Sequence, residues 1–238
     1  MATADMDLVR TVTPYVTGIS EEIGGAGNPS PITAYGVFMG MKAAANHAFG
    51  SNVLEDKVVY VQGIGNVGEA LVENLTNEGA KVYISDINQD RLEEVRDKYS
   101  VTIYEGDNIY AEEMDIYAPC ALGATINDQT LPHLKAKVIA GAANNQLAHE
   151  DRHGILLKEK GIVYAPDFLI NAGGIINVYA ELENYDKKEI IRKTENIYNT
   201  TLEILENAAI NGVTSHQAAF DVAKARIDAR RLKKTNSN

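Results

Sequence analysis

One stretch of the chain has glycines at the spacing of a phosphate-binding turn: Gly63-Ile64-Gly65-Asn66-Val67-Gly68. Gly63 would permit a tight turn, Gly65 would let the backbone approach a pyrophosphate, and Gly68 would let a helix pack closely on a strand. The N-terminus of the next helix would then offer unpaired N–H groups and a partial positive charge to the phosphates. Because short glycine patterns also occur in turns that bind nothing, the prediction of a dinucleotide site depends on the surrounding elements.

A carboxylate, Asp86, ends the next apolar run along the chain. At that place it can accept hydrogen bonds from both hydroxyls of an adenosine ribose. The same carboxylate would repel the 2′-phosphate of NADP, and the residues that follow it, Ile87, Asn88 and Gln89, include no Arg. We therefore expect NAD as the cofactor, bound by the glycine turn together with Asp86 and Ile87.

Strand-like and helix-like segments alternate around these residues. Short apolar runs rich in β-branched residues predict strands at 57–62, 82–85, 116–118, 138–140 and 162–164. Helical patterns at 67–78 and 89–99, and other helix-sized segments, separate the strands. The alternation predicts an α/β fold, a Rossmann-like, doubly wound and mainly parallel sheet with helices on both faces.

The segments on either side of this unit are predicted to be helical. A short helix at 7–13 precedes a turn-rich loop at 24–31. A longer helix follows at 32–49, with Ser30 as its expected N-cap. Two amphipathic helices are predicted near the end of the sequence, at 187–209 and 215–232.

Length, charge and cysteine content limit the class of protein. The 238 residues, 45% of them hydrophobic, suit one large domain with appended segments. We divide them into a junction helix and loop at 1–30, an NAD-binding domain at 31–186 and C-terminal helices that pack on it at 187–238. The net charge of −11 argues against nucleic acid or an anionic membrane as partner. With Cys120 as the single cysteine, no internal disulfide can form, and a cytoplasmic location is expected.

Several longer segments, taken together, resemble a known enzyme family. They are GNPSPITAYGV at 27–37, VQGIGNVG at 61–68, YAPCALGATIND at 117–128, VIAGAANNQL at 138–147 and YAPDFLINAGGIINV at 164–178. In this order they resemble the amino-acid dehydrogenases of the glutamate/leucine/phenylalanine/valine family, above all its leucine-type members. The resemblance implies oxidative deamination of an L-amino acid, with hydride transfer to NAD+ and release of ammonia and a 2-oxo acid.

The resemblance also implies roles for individual residues. Thr33 would lie near the nicotinamide carboxamide, and the adenosine would lie beside Cys120, Ala121 and Leu122. Asn144 and Asn145 would lie near the nicotinamide and the substrate, and Ile175 and Val178 would form part of an apolar wall for the substrate side chain. For Ile175 and Val178, ordinary packing in a helix core is the alternative.

The family's acid–base residues are not found among the matching positions. Its catalytic lysine follows a glycine-rich stretch that ends in GGAK, whereas Gly24-Gly25-Ala26 continues here with Gly27. By register, Asp5 and Asp7 fall after the position of the family's catalytic aspartate. We therefore expect the chain to begin just after the family's substrate domain, and to take a branched-chain amino acid or 2-oxo acid only together with such a domain.

The remaining histidines and the cysteine carry weaker signals. Cys120 has no His near it in sequence and is predicted to be a small buried side chain rather than a nucleophile. His149 and His153 are spaced like ligands on one helix face, but no third ligand can be placed, so no metal site is predicted. The resemblance implies a homo-oligomer, although a monomer stays open because much of the family's interface can belong to the missing domain.

Three interpretations of the whole chain remain. In the first, it is the NAD-binding domain of a leucine-type dehydrogenase, with little or no activity alone. In the second, it is a complete minimal dehydrogenase that takes its base from elsewhere, for example from Lys42 or a partner chain. In the third, it is a nucleotide-sensing or assembly module without chemistry.

Overall fold

The structure is a computed structural model that describes residues 3–183 and 185–235, the last four of these by backbone alone. Within this part of the chain, six parallel strands form one sheet: β1 (Val58–Gln62), β2 (Lys81–Ser85), β3 (Thr102–Ile103), β4 (Ile116–Pro119), β5 (Val138–Ile139) and β6 (Val163–Tyr164). Their order across the sheet is β3-β2-β1-β4-β5-β6. Open α/β sheets bind ligands at the carboxyl ends of the strands where the order reverses, here between β1 and β4.

Helices cover both faces of the sheet. Those of the described residues are α1 (Thr3–Arg10), α2 (Ser30–Phe49), α3 (Asn66–Asn77), α4 (Gln89–Tyr99), α5 (Glu150–Glu159), α6 (Asp167–Ile170), α7 (Gly173–Glu183), α8 (Lys187–Asn211) and α9 (Ser215–Thr235). None of these helices combines the length and the apolar character needed to cross a bilayer. The outermost residues of the predicted segments, 1–2 and 236–238, lie outside the described residues.

The sheet is buried on both faces. Successive side chains of a strand point to opposite faces, so each strand contributes to two cores. On β1, Val59 and Val61 join a core that includes α2 and α3, whereas Tyr60 joins a second core on the other face. The second core is rich in tyrosine, and the rings of Tyr60 and Tyr83 stack with their centroids 4.6 Å apart. The prediction of a doubly wound, parallel α/β sheet is confirmed.

Small residues let α2 pack closely against its neighbours. A Cβ added at Gly40 would lie 2.2 Å from Ile170 Cγ2, and one added at Gly36 would lie 2.9 Å from Ile197 Cδ1 of α8. Any larger residue at either position would push α2 away from α6 or α8. This close contact fixes the first turn of α2, and with it Thr33, at the carboxyl edge of the sheet.

Two predictions near the N-terminus are wrong in detail. The first helix covers Thr3–Arg10 rather than 7–13. Pro14 disfavours a helical conformation at Thr13, which accounts for the earlier end of the helix but not for its earlier start. Ser30 is not the N-cap of α2 but its first residue, and Pro29 occupies the cap position without a side-chain hydrogen bond. Asn28 Oδ1 accepts the Ser30 N–H at 3.0 Å, so an asparagine turn starts this helix.

The region between β4 and β5 also differs from the prediction. A helix-sized segment was expected there, but the chain forms turns, with one bridge between Ile126 and Leu147. The Asn127 side chain accepts the N–H groups of Gln129 and Thr130, at 2.9 and 3.1 Å, and so competes with helix formation. The first part of this segment lines the carboxyl ends of the strands, and Ile126, Leu131 and Leu134 then pack into the second core of the sheet.

Candidate cofactor-binding site

The glycine turn between β1 and α3 has a geometry that only glycine fits at two positions. Gly63 has φ +96°, and an added Cβ would lie 2.6 Å from the Ala121 backbone nitrogen. A Cβ at Gly68 would lie 2.0 Å from the Gly63 carbonyl oxygen, so α3 approaches β1 as closely as a glycine allows. At Gly65 an added Cβ would meet no atom within 4 Å. The turn is therefore packed at both ends and open in the middle.

The open side of the turn faces the N-terminus of α3. Gly65 is the N-cap and carries no side chain that could satisfy the first N–H groups of the helix. Those groups have no partner within any α-helix and favour an anion. Ile64, by contrast, is fully buried in the core, and Val67 packs against it. The arrangement has the open cradle and the exposed backbone donors that a diphosphate needs.

Asp86 is held at the end of β2 by two backbone donors. Its Oδ2 accepts the Ile64 N–H at 2.8 Å, and its Oδ1 accepts the Asn88 N–H at 3.0 Å. The carboxylate is half-buried beside the glycine turn. Arg91, the next arginine along the chain, forms ion pairs with Glu69 and Glu94. Its charge is therefore already matched by carboxylates, which disfavours Arg91 as a binding group for a 2′-phosphate.

A cavity of about 770 Å³ lies at the carboxyl ends of β1, β2 and β4. Predicted site residues that line it are Gly63, Gly65, Asp86, Ile87, Cys120, Ala121 and Leu122. The side chains of Ile87 and Leu122 are largely exposed and present apolar surface at its edge. Lining residues that the sequence did not indicate are Gln62, Ser85, Thr125 and several residues of the segment 104–110. The segment 104–110 follows β3, a two-residue strand too short to recognise by its pattern.

Cys120 lies at the inner wall of this cavity with its thiol protonated. The residue as a whole is half-buried, but protein atoms surround Sγ, and this desolvation raises the pKa of the Cys120 thiol to about 12. The Ala142 N–H donates to Sγ at 3.5 Å. A thiol of this kind is a poor nucleophile, because the thiolate is the reactive form.

We expect Cys120 to react slowly with a thiol reagent such as 5,5′-dithiobis(2-nitrobenzoate). At pH 8 a thiol with a pKa near 12 is ionised about a thousandfold less than an ordinary one. The rate for the native chain should therefore be about a thousandfold lower than that for the chain unfolded in guanidinium, its own control. Equal rates in the two states would show that Cys120 is accessible and ionised.

A second group of predicted residues lies beyond β4, around the start of α2 and the loop after β5. The Thr33 hydroxyl donates to the Pro29 carbonyl at 2.9 Å and lies so close to Gly174 that a Cβ there would be 2.6 Å from it. Asn144 Oδ1 accepts from Asn171 Nδ2 at 2.7 Å, which leaves the Asn144 amide nitrogen exposed. Asn145 is also exposed and has φ +53°.

The two candidate substrate-wall residues occupy neighbouring turns of α7. Ile175 is 67% exposed, so the alternative that it packs in a helix core is wrong. Val178 is half-buried, and its Cγ1 lies 3.8 Å from a Cβ placed on Gly18. Among the described residues, Ile175 and Val178 line no common cavity with the glycine turn. Their placement on one helix is observed, and their contact with a substrate stays a prediction.

Glu181 is a structural residue that the sequence did not indicate. Its Oε1 accepts the N–H groups of Gly18 and Ala26, at 2.9 and 2.8 Å. Asn177, one turn earlier on α7, donates to the Ala26 carbonyl at 3.2 Å. The two side chains bind the backbone of the loop before α2 to α7. They thereby position the first turn of α2 beside the start of α7.

Lys42 lies at the opposite edge of the sheet from the cofactor cavity. It forms an ion pair with Glu78, which follows the last residue of α3. Since α3 begins at the glycine turn and has 12 residues, this pair lies about 18 Å from the turn at 1.5 Å per residue. This position and the pairing with Glu78 disfavour the interpretation that uses Lys42 as a catalytic base.

We expect Lys42→Met to leave NADH affinity unchanged and to lower the free energy of unfolding by about 1 kcal/mol. The loss comes from Glu78, which keeps its charge without its partner. Isothermal titration and urea unfolding measure the two quantities. A tenfold or larger loss of affinity would show that Lys42 contributes to the site after all.

The histidine pair forms a structural contact. His153 is fully buried; its Nδ1 accepts the His149 N–H at 3.0 Å, and its Nε2 donates to Asp128 Oδ1 at 3.0 Å. Both ring nitrogens are thus used within the protein. In the part of the chain that the structure describes, no three His, Cys, Asp or Glu side chains are placed to hold a metal ion.

Known proteins with similar sequences are amino-acid dehydrogenases. Residues 24–88 and 83–234 match the family described as Glutamate/Leucine/Phenylalanine/Valine dehydrogenase. Leucine dehydrogenase of Bacillus cereus is 52% identical over 223 residues, which is 94% of this chain and 61% of that protein. L-tryptophan dehydrogenase of Nostoc punctiforme is 44% identical over 234 residues, which is 97% of this chain and 65% of that protein. The chain thus spans a little under two thirds of the length of these relatives.

Solved structures agree with the sequence comparison. The crystal structure of L-tryptophan dehydrogenase from Nostoc punctiforme covers 84% of this chain with a TM-score of 0.82 and 45% identity, over 61% of its own length. The hetero-hexameric glutamate dehydrogenase of Thermus thermophilus covers 96% with a TM-score of 0.74 but 19% identity, over 60% of its own length. At that identity the second likeness supports the fold alone.

Proposed function

Because the chain belongs to the Glutamate/Leucine/Phenylalanine/Valine dehydrogenase family, we propose that it provides the NAD-binding part of a branched-chain, leucine-type L-amino-acid dehydrogenase. One observation carries the proposal. The open backbone at Gly65 and the fixed carboxylate of Asp86 line the same cavity at the N-terminus of α3. These are the groups that a diphosphate and a ribose diol require, at adjacent strand ends.

In this proposal the chain binds and orients the cofactor, and NAD+ when bound supplies the hydride acceptor. The N-terminal N–H groups of α3 bind the diphosphate, and Asp86 accepts from the adenosine ribose. Ile87 and Leu122 cover the adenosine with apolar surface. Thr33 and Asn144 lie beside the nicotinamide. The Asn171 amide holds Asn144 by its oxygen, so the Asn144 nitrogen is directed outward as a donor.

We propose that the site selects NAD over NADP. A 2′-phosphate would place negative charge against the Asp86 carboxylate, whose oxygens already accept two N–H groups. Arg91 is bound to Glu69 and Glu94 and offers no free charge for compensation. Repulsion of like charges in a half-buried site is costly, so NADPH binds more weakly.

Oxidative deamination needs proton transfer as well as hydride transfer. The need for proton transfer limits what the chain can do alone. A lysine of lowered pKa and a proton-relaying acid would have to lie beside the hydride acceptor. We infer that the family's catalytic lysine and aspartate have no counterpart among the matching positions, and Lys42 is paired with Glu78 at the far edge of the sheet. We propose that Asn145, Ile175 and Val178 contribute to the substrate site only when a lysine-bearing substrate domain is present.

The proposal is tested by turnover of the 238-residue chain. NAD+ reduction with leucine, valine or isoleucine, followed at 340 nm, is expected to stay at the rate without amino acid. Full-length leucine dehydrogenase of Bacillus cereus, assayed in parallel, serves as the positive control. Robust turnover by the chain alone would contradict the proposed division of labour.

The alternative of a nucleotide-sensing or assembly module is less favoured, because the relatives are named as amino-acid dehydrogenases. It predicts that NADH changes the oligomeric state. Light scattering after size exclusion, with and without NADH, distinguishes this module from the proposed dehydrogenase part. An unchanged molar mass is expected, and a shift with NADH would favour the sensing module.

A further inference from the structure

The loop after β5, at residues 141–145, has no regular structure but is held by side chains. Among the described residues, no backbone N–H donates to the carbonyl groups of residues 141–143. Residues 141 and 143 are buried, and buried carbonyl groups nearly always have a hydrogen-bond donor. Two side-chain amides supply the donors here, those of Gln146 and Asn171. The shape of the loop therefore depends on these two side chains.

Gln146 is fully buried, and its side chain binds the loop at two points. Its Nε2 donates to the Gly141 carbonyl at 2.8 Å and to the Ala143 carbonyl at 2.9 Å. Because both partners are oxygens, the orientation of the amide is determined: a reversed amide would set Oε1 against two carbonyl groups. Oε1 is buried and has no hydrogen bond, although buried polar atoms nearly always have one. The position of the amide is therefore set by its two donated bonds.

Residues of α6 and its C-terminal end hold the same loop. Asp167, the first residue of α6, is buried, and its Oδ2 accepts the Gln146 N–H at 3.3 Å. Asn171, the C-cap of α6, donates from Nδ2 to the Ala142 carbonyl at 3.2 Å and to Asn144 Oδ1 at 2.7 Å. Gln146 thus closes the loop on itself, and the two residues of α6 fix the closed loop next to the start of α7.

Two exposed asparagines, Asn144 and Asn145, lie at the tip of the loop. Asn145 has φ +53°, in the left-handed region that residues other than glycine adopt less readily. Such a conformation persists where the surrounding structure determines it, and here the bonds from Gln146 and Asn171 do so. Rigid support of this kind fixes polar side chains in a binding-competent position before a ligand arrives.

We propose that Gln146 is a positioning residue for the nicotinamide half of the dinucleotide, because it holds the loop in the shape in which Asn144 donates to the carboxamide. The inference rests on the proposed function, which places Asn144 beside the nicotinamide. Being fully buried, Gln146 does not reach a ligand itself and acts through the loop. It is not among the residues that line the cavity at the glycine turn. Its loss should therefore weaken the hold on nicotinamide and spare the hold on adenosine and diphosphate.

The test compares NADH with ADP-ribose, which keeps the adenosine, the diphosphate and the second ribose but lacks the nicotinamide. In isothermal titrations the parent chain is expected to bind NADH about tenfold or more tightly than ADP-ribose, a difference that one or two hydrogen bonds can supply. Gln146→Met, of similar size but without a donor, should reduce this ratio to about twofold or less and leave the Kd of ADP-ribose within about twofold. Gln217→Met, exposed on α9, is the matched control and should keep the parental ratio.

Asn144→Ala distinguishes positioning from a general effect on structure. Alone, it should lower the ratio about as much as Gln146→Met does. Because Gln146 acts through Asn144, the double variant should bind NADH within about twofold of either single variant, whereas independent effects would multiply. A purely structural role of Gln146 predicts instead that NADH and ADP-ribose lose affinity to the same extent.

The outcomes for the parent chain distinguish the inference from the function on which it rests. If the parent binds NADH and ADP-ribose equally, the inference is wrong and NAD binding stands. If the parent binds neither, the proposed function fails, and the inference with it. A Gln146→Met chain that folds and keeps the parental ratio would overturn the role of Gln146. If that chain does not fold, Gln146→Asn takes its place: its amide is one carbon shorter and cannot reach both carbonyl groups, so the ratio should fall about threefold or more, and a parental ratio would again overturn the role.

Discussion

Replacing Gly65 by alanine is expected to preserve the fold and to weaken NADH binding by about a hundredfold, or about 2.7 kcal/mol. The backbone at Gly65 has a φ of −62° that any residue adopts, and an added Cβ meets no protein atom within 4 Å. The methyl group would instead occupy the open side of the turn, where a diphosphate must approach the N–H groups of α3. Since alanine is a poorer N-cap than glycine, a loss of stability of at most about 1 kcal/mol is expected.

Gly154→Ala is the matched control for this substitution. Gly154 lies in α5, and an added Cβ would be 3.4 Å or more from its neighbours, an ordinary contact. It should keep the parental NADH affinity and gain a few tenths of a kcal/mol to about 1 kcal/mol in stability. Isothermal titration and urea unfolding of both variants measure the two effects. A Gly65→Ala chain with parental affinity would show that the diphosphate does not approach this turn.

Asp86→Asn is expected to remove the preference for NADH over NADPH. Hydrogen bonds to a charged group contribute about 1.5 to 3 kcal/mol each, so NADH affinity should fall at least tenfold, while NADPH no longer meets a like charge. Together the two effects should lower the ratio of the NADPH Kd to the NADH Kd by about tenfold or more, to a value near one. Asparagine keeps an oxygen for the Ile64 N–H that Asp86 accepts, which limits the damage to the glycine turn.

Asp90→Asn provides the comparison at equal change of charge. Asp90 is exposed in the first turn of α4, four residues from Asp86. Its loss changes the net charge of the chain by the same amount but should leave the Kd ratio within about twofold of the parental one, since exposed charges act weakly in salt. Equal effects of the two substitutions would mean that net charge, rather than the Asp86 carboxylate, sets the cofactor preference.

The parts of the site that follow a strict local pattern could be predicted from the sequence. The roles of Gly63 in a tight turn and of Gly68 in close packing follow from spacing alone, and the structure shows both. Asp86 could be placed at a strand end because β2 is a recognisable apolar run. In each case neighbouring residues of the chain determine the geometry, so no knowledge of distant contacts was needed.

The parts of the site that depend on contacts between distant segments could not be predicted from the sequence. β3 has two residues, too few to show a period, and the cavity wall at 104–110 was missed with it. The orientation of the Gln62 amide depends on Tyr117, 55 positions away. The position of Lys42 at the far edge follows only from its pairing with Glu78. The spacing of residues along the sequence does not show that Lys42 of α2 pairs with a side chain at the end of α3.

The prediction of a helix-sized segment between β4 and β5 was wrong for a different reason. Its length suits a helix, but Asn127 and its neighbours satisfy the backbone through side-chain bonds. A Cβ at Gly123 would lie 2.5 Å from the Asn144 carbonyl oxygen, so the loop is pressed against the segment after β5. The first residues of this segment line the cavity, and Ile126, Leu131 and Leu134 cover the second core without forming a helix.

Titration of the parent chain with NADH and with NADPH in an isothermal calorimeter tests the central claim most directly. The claim predicts one NADH bound per chain and NADPH bound about tenfold or more weakly, because Asp86 and the paired Arg91 disfavour the 2′-phosphate. An absence of NADH binding at millimolar concentration would contradict the cofactor site, and equal affinity for the two dinucleotides would contradict the role of Asp86.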